Sequence, residues 1–226
     1  MTESAFRAIK IRILGLAKRT LEKGLKPFGY EIRKMERHGQ SPWPEGQNLT
    51  GNIRKIHYAC GFNMLAGWIN ADIDLLMKRK PGFYCLEVNL VGPHPFPDNW
   101  FDFGFCEDFI EHLTQADSLI FLCEVHRTFA AGGILRLSFP SLEGVLKIHY
   151  RNRSGYKGAT LGKNEAYTKW EHAHFYSREE LSLVCRQIGF SRVDFVEYGQ
   201  SSHGPLQNLD HRDQQREINS YVEITK

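Results

Sequence analysis

A doubly wound α/β sheet, mostly parallel, is the fold class that this 226-residue sequence predicts. Three observations carry the prediction. Short apolar strand signals recur from residue 53 onward. Helices with recognisable start and stop residues fall between the later strands. Two alternating strands then close the chain as an antiparallel pair. Strands interleaved with helices make a layered sheet whose faces the helices cover.

The elements follow in chain order. Residues 1–40 carry ten Lys and Arg against four acids, so this arm is +6 and the remainder −3 within a net +3. Phe6, Ile9, Ile13, Leu16, Ala17, Leu21 and Leu25 recur at threes and fours, the pattern of a basic amphipathic helix ending near Gly24–Pro27. Such a stripe either lies on anionic lipid or packs on the domain or a second subunit, which makes a homo-oligomer one reading of it. "HGQSPWPEGQNLTGN" (38–52) has loop composition, which makes 41–52 a linker into a main domain over 53–226. In that domain "IRKIHYA" (53–59), "WINADI" (68–73), "YCLEVNL" (84–90), "FDFGFC" (101–106) and "ILRLSF" (134–139) read as strands. A helix over 115–130 is expected to bury Leu119, Ile120, Leu122, Cys123 and Phe129 and to stop at Gly132-Gly133. In "SREELSLVCRQIGF", Ser177 and Glu180 form a capping box, Leu181, Val184, Cys185 and Ile188 the buried stripe, and Gly189 the end. "RVDFVE" (192–197) and "SYVEIT" (220–225) are the closing strands.

Composition removes several classes. No run of eighteen apolar residues or secretory leader is visible, so a cytoplasmic chain is expected, peripheral at the inner membrane face where the arm meets lipid. The five cysteines stand singly and without CxxC spacing, which argues for buried free thiols rather than disulfides or a zinc site. The basic residues of the arm lack interleaved aromatics and a recognisable motif, so no nucleic-acid partner is expected.

In an open parallel sheet a ligand lies at the carboxyl ends of the strands. Those ends hold Ala59, Cys60, Gly61 and Asn63, then Asp72 and Asp74, Asn89, Glu107 and Asp108, and Pro140. A carboxylate at the second strand end can accept both hydroxyls of a ribose, and Asp72 fits that place. The small Cys60-Gly61 pair lets backbone N–H groups approach a ligand. No Lys follows it, which disfavours a triphosphate. About eight residues separate Gly61 from the second strand, fewer than the 10–12 of a full crossover, so a turn replaces the first helix.

"HYACGFNMLAGWINADID", "PFPDNWFDFGFCEDFIEHL", "FLCEVHRTFAAGGILRLSFPSLE" and "WEHAHFYSREELSLVCRQIGF" together resemble the class I S-adenosylmethionine-dependent methyltransferases. Among these the nearest likeness is to enzymes linked to surface-glycan biosynthesis, and it covers about residues 53–197. The resemblance implies a Rossmann-like sheet of seven strands with one antiparallel, and S-adenosylmethionine across the first, second and fourth strand ends. It places His57, Ala59, Cys60, Gly61, Asn63, Asp72, Ile73, Asn89 and Glu107 at the cofactor. His57 stands where the superfamily has an acid, Ala59 and Asn63 where it has glycines, and Asp108 where a His follows the Glu107 acid. Asp72 takes the ribose-binding place, Ile73 flanks the adenine, and the Asn89 amide would accept from its amino group.

For an acceptor hydroxyl the protein must align the oxygen and remove its proton. His112, Asp108 and His174 are the candidate bases. His172 and His174 could bind a metal as an i, i+2 pair, but no third ligand is evident in the local sequence, and no metal is assigned. Residues 141–175 mix Lys147, Arg151, Arg153, Lys157, Lys163 and Lys169 with Tyr150, Tyr156, Tyr167 and Trp170. Read as an acceptor-region insertion, this stretch suits a small-molecule or glycan acceptor, including a sugar nucleotide; read blandly, it is a solvated basic loop. Two other functions stay open: a non-catalytic methyltransferase-fold binding or scaffold protein, and a nicotinamide-dependent oxidoreductase, which the missing glycine fingerprint disfavours.

Overall fold

The computed structural model describes residues 53–73, 81–151 and 153–226. The predicted arm, the linker and Asp74 lie outside the described residues. Seven strands form one sheet: β1 (Lys55–Tyr58), β2 (Ile69–Asp72), β3 (Tyr84–Glu87), β4 (Phe101–Glu107), β5 (Phe129–Pro140), β6 (Arg192–Val196) and β7 (Asn219–Thr225). Their spatial order is β3-β2-β1-β4-β5-β7-β6. β1 pairs in parallel with β2 and β4, β2 with β3, and β4 with β5, whereas β7 runs antiparallel between β5 and β6. The predicted seven-stranded α/β sheet with one antiparallel C-terminal strand is the fold the chain adopts. No helix lies between β1 and β2, as the short spacing requires.

Every strand begins within two residues of its expected start except β5, which begins at Phe129, directly after helix α1 (Gln115–Thr128). This corrects two expectations. Gly132 and Gly133 do not end the helix but lie inside β5, where the strand advances from Phe129 to Ile134 while β4 advances from Phe101 to Phe103. Gly133 is needed there because a Cβ would stand 2.7 Å from the Phe101 carbonyl oxygen. The buried stripe of α1 is also rotated: Phe121, Leu122 and Val125 are inside, while Leu119, Ile120 and Cys123 are exposed. With no loop between helix and strand, Phe129 fixes the rotation of α1, and Phe121 meets the Tyr58 ring edge-on at 5.3 Å. Four of the five cysteines are buried free thiols, and Cys123 is the exception.

After β5 come the single-turn helix α2 (Leu142–Val145) and the helix α3 (Gly155–Lys163), each continued by a π-helical turn, Leu146–Tyr150 and Asn164–Thr168. Helix α4 (Arg178–Ile188) starts where expected, with Ser177 Oγ accepting the Glu180 N–H at 3.0 Å, and ends at Gly189 with φ +117°. Leu181 and Cys185 are buried, with Val184 and Ile188 packed beside them. Both α1 and α4 sit on the face of the sheet that carries Ile56, Tyr58 and Leu137, which makes the main core.

The opposite face combines a smaller apolar cluster, Trp68, Phe105, Ile134 and Leu206, with a buried charge cluster. Arg136 on β5 is fully buried and pairs with Asp210 through Nε at 3.1 Å and Nη2, and with Glu223 at 3.2 Å. Its guanidinium also donates to the Gln200 and Glu197 carbonyls, at 2.8 and 3.3 Å. The loop between β6 and β7 is thereby fixed to the sheet, and its later residues reach the carboxyl end of β4. No helix among the described residues is long and apolar enough to cross a membrane.

Candidate active site

The strand order reverses between β1 and β4, so the crevice beyond their carboxyl ends is where this sheet type receives a ligand. Beyond Tyr58 the chain turns through Ala59 (φ +48°) and Gly61 (φ +52°), both left-handed, and the Asn63 N–H reaches the Cys60 carbonyl at 2.9 Å. Nothing lies within 4 Å of where a Cβ on Gly61 would point, so that side of the loop is open. Ala59 keeps the conformation of a glycine, at a cost of about 1–2 kcal/mol. Asp72 at the end of β2 accepts the Gly61 N–H on Oδ2 at 2.8 Å and the Ile73 N–H on Oδ1 at 2.7 Å. Its carboxylate is thus oriented beside the loop, with Phe62 and Ile73 each 64% exposed next to it.

Two other expected cofactor residues sit differently. Asn89 Oδ1 accepts the Val91 N–H at 3.2 Å, so its amide carbonyl is engaged by its own loop. His57 is 3% exposed, its ring stands 5.0 Å from that of Phe105, and its Nδ1 has no partner. Burial pushes it down to about 4. A neutral imidazole therefore occupies the place where an anion was expected.

At the end of β4, Glu107 accepts the His211 N–H at 3.1 Å, and burial raises its carboxyl above the usual range. Asp108 turns left-handed (φ +50°) and accepts from Asn219 Nδ2 at 3.1 Å and Arg212 Nε at 3.2 Å. With the Gln215 amide oriented to satisfy both groups, its nitrogen stands 2.7 Å from the same carboxylate. Burial raises the Asp108 carboxyl, and Arg212 and Asn219 oppose that rise.

The turn Ile110–His112 follows. Its Glu111 carbonyl accepts the N–H groups of Ala173 and His174 at 2.8 and 3.1 Å, which ties a segment sixty residues downstream to the end of β4. The "HAH" pair is split, because the His172 N–H still reaches back to the Tyr167 carbonyl at 3.1 Å while Ala173 and His174 turn to Glu111. The His172 ring meets the His112 ring edge-on at 4.8 Å, and its Nδ1 lies 2.8 Å from the Ala166 carbonyl. His174 turns away, bonding Glu180 at 3.0 Å and packing on Tyr176. The capping box of α4 is therefore half formed, since Glu180 reaches His174 instead of its own cap.

These groups line a cavity of about 800 Å³ that includes Asp108, Glu111, His112, His149, Trp170 and His172, with Arg212–Gln215 on another side. The volume suits a small molecule. Asp108 and His112 meet there, whereas His174 is not in the lining. Sequence reasoning missed Glu111, Arg212 and Gln215 because only the fold brings 108–112, 172 and 212–215 together. The signal available was the Glu-His pair inside "IEHL". In the 141–175 region several cations already have partners: Lys147 with Glu217 at 3.4 Å, Arg153 with Glu165, and Lys169 over the Trp170 ring at 4.9 Å.

No protein-family model matches the chain, and no curated protein matches it in sequence. Solved structures do match in fold. A Thermotoga maritima S-adenosylmethionine-dependent methyltransferase, described as a possible histamine N-methyltransferase, aligns at 19% identity over 76% of this chain and 82% of its own, with a TM-score of 0.51. A Mesorhizobium loti S-adenosylmethionine-dependent methyltransferase aligns at 15% identity over 83% and 99%, with a TM-score of 0.50. Phosphoethanolamine N-methyltransferase 2 of Haemonchus contortus, solved with phosphomonomethylethanolamine and S-adenosylhomocysteine, aligns at 11% identity over 76% and 48%, with a TM-score of 0.50. At these identities the likeness establishes the class I methyltransferase fold.

Proposed function

We propose that this chain transfers a methyl group from S-adenosylmethionine to an oxygen of a small polyhydroxylated acceptor, a glycan, sugar nucleotide or related metabolite. The observation that carries the cofactor half is the left-handed Ala59–Gly61 turn tied through Gly61 to Asp72. The loop leaves open space where a ligand would approach, and the Asp72 carboxyl beside it, with a backbone N–H donor on each oxygen, supports binding of a ribose diol there. Phe62 and Ile73 offer exposed apolar surface for a purine. The residues present thus fit the group. S-adenosylmethionine supplies a methyl group already activated on sulfur, so the protein's share is to bind, align and deprotonate.

The acceptor half rests on the cavity at the adjoining strand end. Its lining includes four carboxyl side chains, Asp108, Glu111, Asp213 and Glu217, and one guanidinium, that of Arg212. Carboxylates and imidazoles accept hydroxyl hydrogen bonds, and the Trp170 ring offers a stacking surface for a sugar. A neutral hydroxylated acceptor suits this lining better than a phosphate-rich one. Asp108 and His112, both in this lining, are the proposed groups to take the hydroxyl proton.

The test is methyl transfer from isotope-labelled S-adenosylmethionine to a panel of monosaccharides, sugar nucleotides and amines, read as label in the acceptor with one S-adenosylhomocysteine formed per methyl. Labelled oxygen methyl ethers are expected, from neutral sugars before sugar nucleotides. Label only in amines would overturn the acceptor reading. The engaged Asn89 amide and the neutral His57 favour a second reading, a ligand-binding protein without turnover. Cofactor binding without label in any acceptor would support it.

A further inference from the structure

Glu111 is 1% exposed, and neither of its carboxylate oxygens has a hydrogen-bond partner. A carboxylate withdrawn from water without donors is costly, and folded proteins keep such groups when they are neutral, paired or bound to a cation. Two imidazoles stand against it. His112 Nε2 is 3.9 Å from Glu111 Oε1, and one ligand atom from each of Glu111, His112 and His172 lies within 4.8 Å of the others.

The orientation of His172 is the second, independent observation. Its Nδ1 is 2.8 Å from the Ala166 carbonyl, which can only accept. Nδ1 therefore carries the hydrogen, and Nε2 keeps its lone pair. Fixing one ring nitrogen on a backbone carbonyl is how proteins orient and polarise a metal-binding imidazole. The Ala173 and His174 N–H groups on the Glu111 carbonyl fix the backbone on both sides. The turn that carries Glu111 and the segment that carries His172 are thus held together at the cavity wall.

We propose that Glu111, His112 and His172 form a binding site for a divalent first-row transition metal ion, with its remaining coordination positions turned to the cavity. Two imidazoles and one carboxylate suit zinc, cobalt, manganese or iron, whereas magnesium and calcium favour all-oxygen sets. Three protein ligands with open positions is also the arrangement of catalytic rather than structural metal sites. Ligand atoms about 2.0–2.2 Å from one ion stand roughly 3.4 Å apart in a tetrahedron, so the three groups draw together by about 1 Å on binding. His112, exposed on a short turn, is the side chain with room to make that movement. An ion here would hold an acceptor oxygen and lower its pKa, and with His112 engaged as a ligand the proton would fall to Asp108; this part of the inference rests on the methyl-transfer reading.

The full chain, stripped with a chelator, is titrated with cobalt(II) by visible absorption and with zinc(II) and magnesium(II) by calorimetry. One equivalent of cobalt or zinc is expected, with d–d bands of a low-coordinate site and magnesium binding at least about 100-fold weaker. Glu111→Gln and His172→Asn each reduce affinity about 100-fold or more, given that loss of a mere supporting contact already costs 10–100-fold. His174→Asn leaves the titration unchanged. Glu111→Gln is the variant that keeps the shape and removes the oxygen able to ligate as an anion, and its melting temperature verifies folding. Absence of a stoichiometric site, or undiminished binding in both folded ligand variants, would overturn the proposal. S-adenosylhomocysteine titrated into the same samples separates the two claims. Its binding without metal binding overturns this site alone, and metal binding without it supports the site and removes the methyl-transfer reading.

Discussion

The Gly61 N–H donates to Asp72 Oδ2 at 2.8 Å, so one carboxylate joins the loop after β1 to the end of β2. The loop's left-handed turn and the acid at the second strand end are thereby one unit. Replacing Asp72 by Asn removes the charge and one acceptor while keeping the size. Hydrogen bonds to charged groups contribute about 1.5–3 kcal/mol, so S-adenosylhomocysteine affinity should fall about 10–100-fold. The readout is the rise in melting temperature with added S-adenosylhomocysteine, which the variant should largely lose. An unchanged rise would remove Asp72 from the cofactor site.

Ala59 sits at φ +48° in the position where the resemblance places a glycine. A Cβ there costs about 1–2 kcal/mol, partly offset by the greater freedom of a glycine in the unfolded chain. Ala59→Gly is therefore expected to leave stability equal or raise it by up to about 1 kcal/mol, whereas Ala59→Val should lower it by more than 1. Urea unfolding of the two variants measures the difference. A destabilised glycine variant would mean that the turn is not strained.

Arg136 and Asp210 form a fully buried pair, with Glu223 beside it. Removing one member leaves an uncompensated charge, so Arg136→Met should lose about 3–5 kcal/mol of stability. Because the same guanidinium holds the Gln200 and Glu197 carbonyls, the loop that supplies Arg212 and Gln215 should also loosen. Faster amide hydrogen exchange over 199–215 would record that loosening, and exchange unchanged there would show the clamp to be dispensable.

His57 provides the pH dependence. Burial holds its folded-state pKa at about 4, below the ordinary 6.5. Between those values the unfolded chain binds the extra proton and the folded chain does not, so stability falls as pH drops from about 6.5 to about 4 and levels off below. The gap corresponds to roughly 3 kcal/mol. His57→Phe should flatten that part of the urea midpoint against pH curve. An identical slope in the variant would assign the acid sensitivity elsewhere.

Much of the sheet was legible because local signals and tertiary outcome agree. The β1–β2 spacing leaves no room for a helix, Ser177 and Gly189 bound α4 as their side-chain chemistry requires, and Asp72 stands at its strand end. The rotation of α1 was not legible. Leu119, Ile120 and Leu122 are equally apolar in the sequence, and the choice among faces is made by Phe129, which begins β5 without a loop. The site was half legible for a related reason. His112, Asp108 and His172 were visible as chemistry, but Glu111 became a partner of His172 only through two backbone hydrogen bonds to a segment sixty residues away. Extended backbone would put an i, i+2 pair on one side; His172 and His174 diverge because the His172 N–H still closes the preceding turn on the Tyr167 carbonyl, which the "HAH" spacing does not reveal.

The Ala59–Gly61 loop and Asp72 are proposed to receive S-adenosylmethionine. Calorimetric titration of S-adenosylhomocysteine into the full chain, with NADH in a parallel titration, tests that proposal most directly. One saturable site for S-adenosylhomocysteine in the micromolar range, about −8 kcal/mol, is expected, and none for NADH. No binding of S-adenosylhomocysteine by the folded wild-type chain would contradict it.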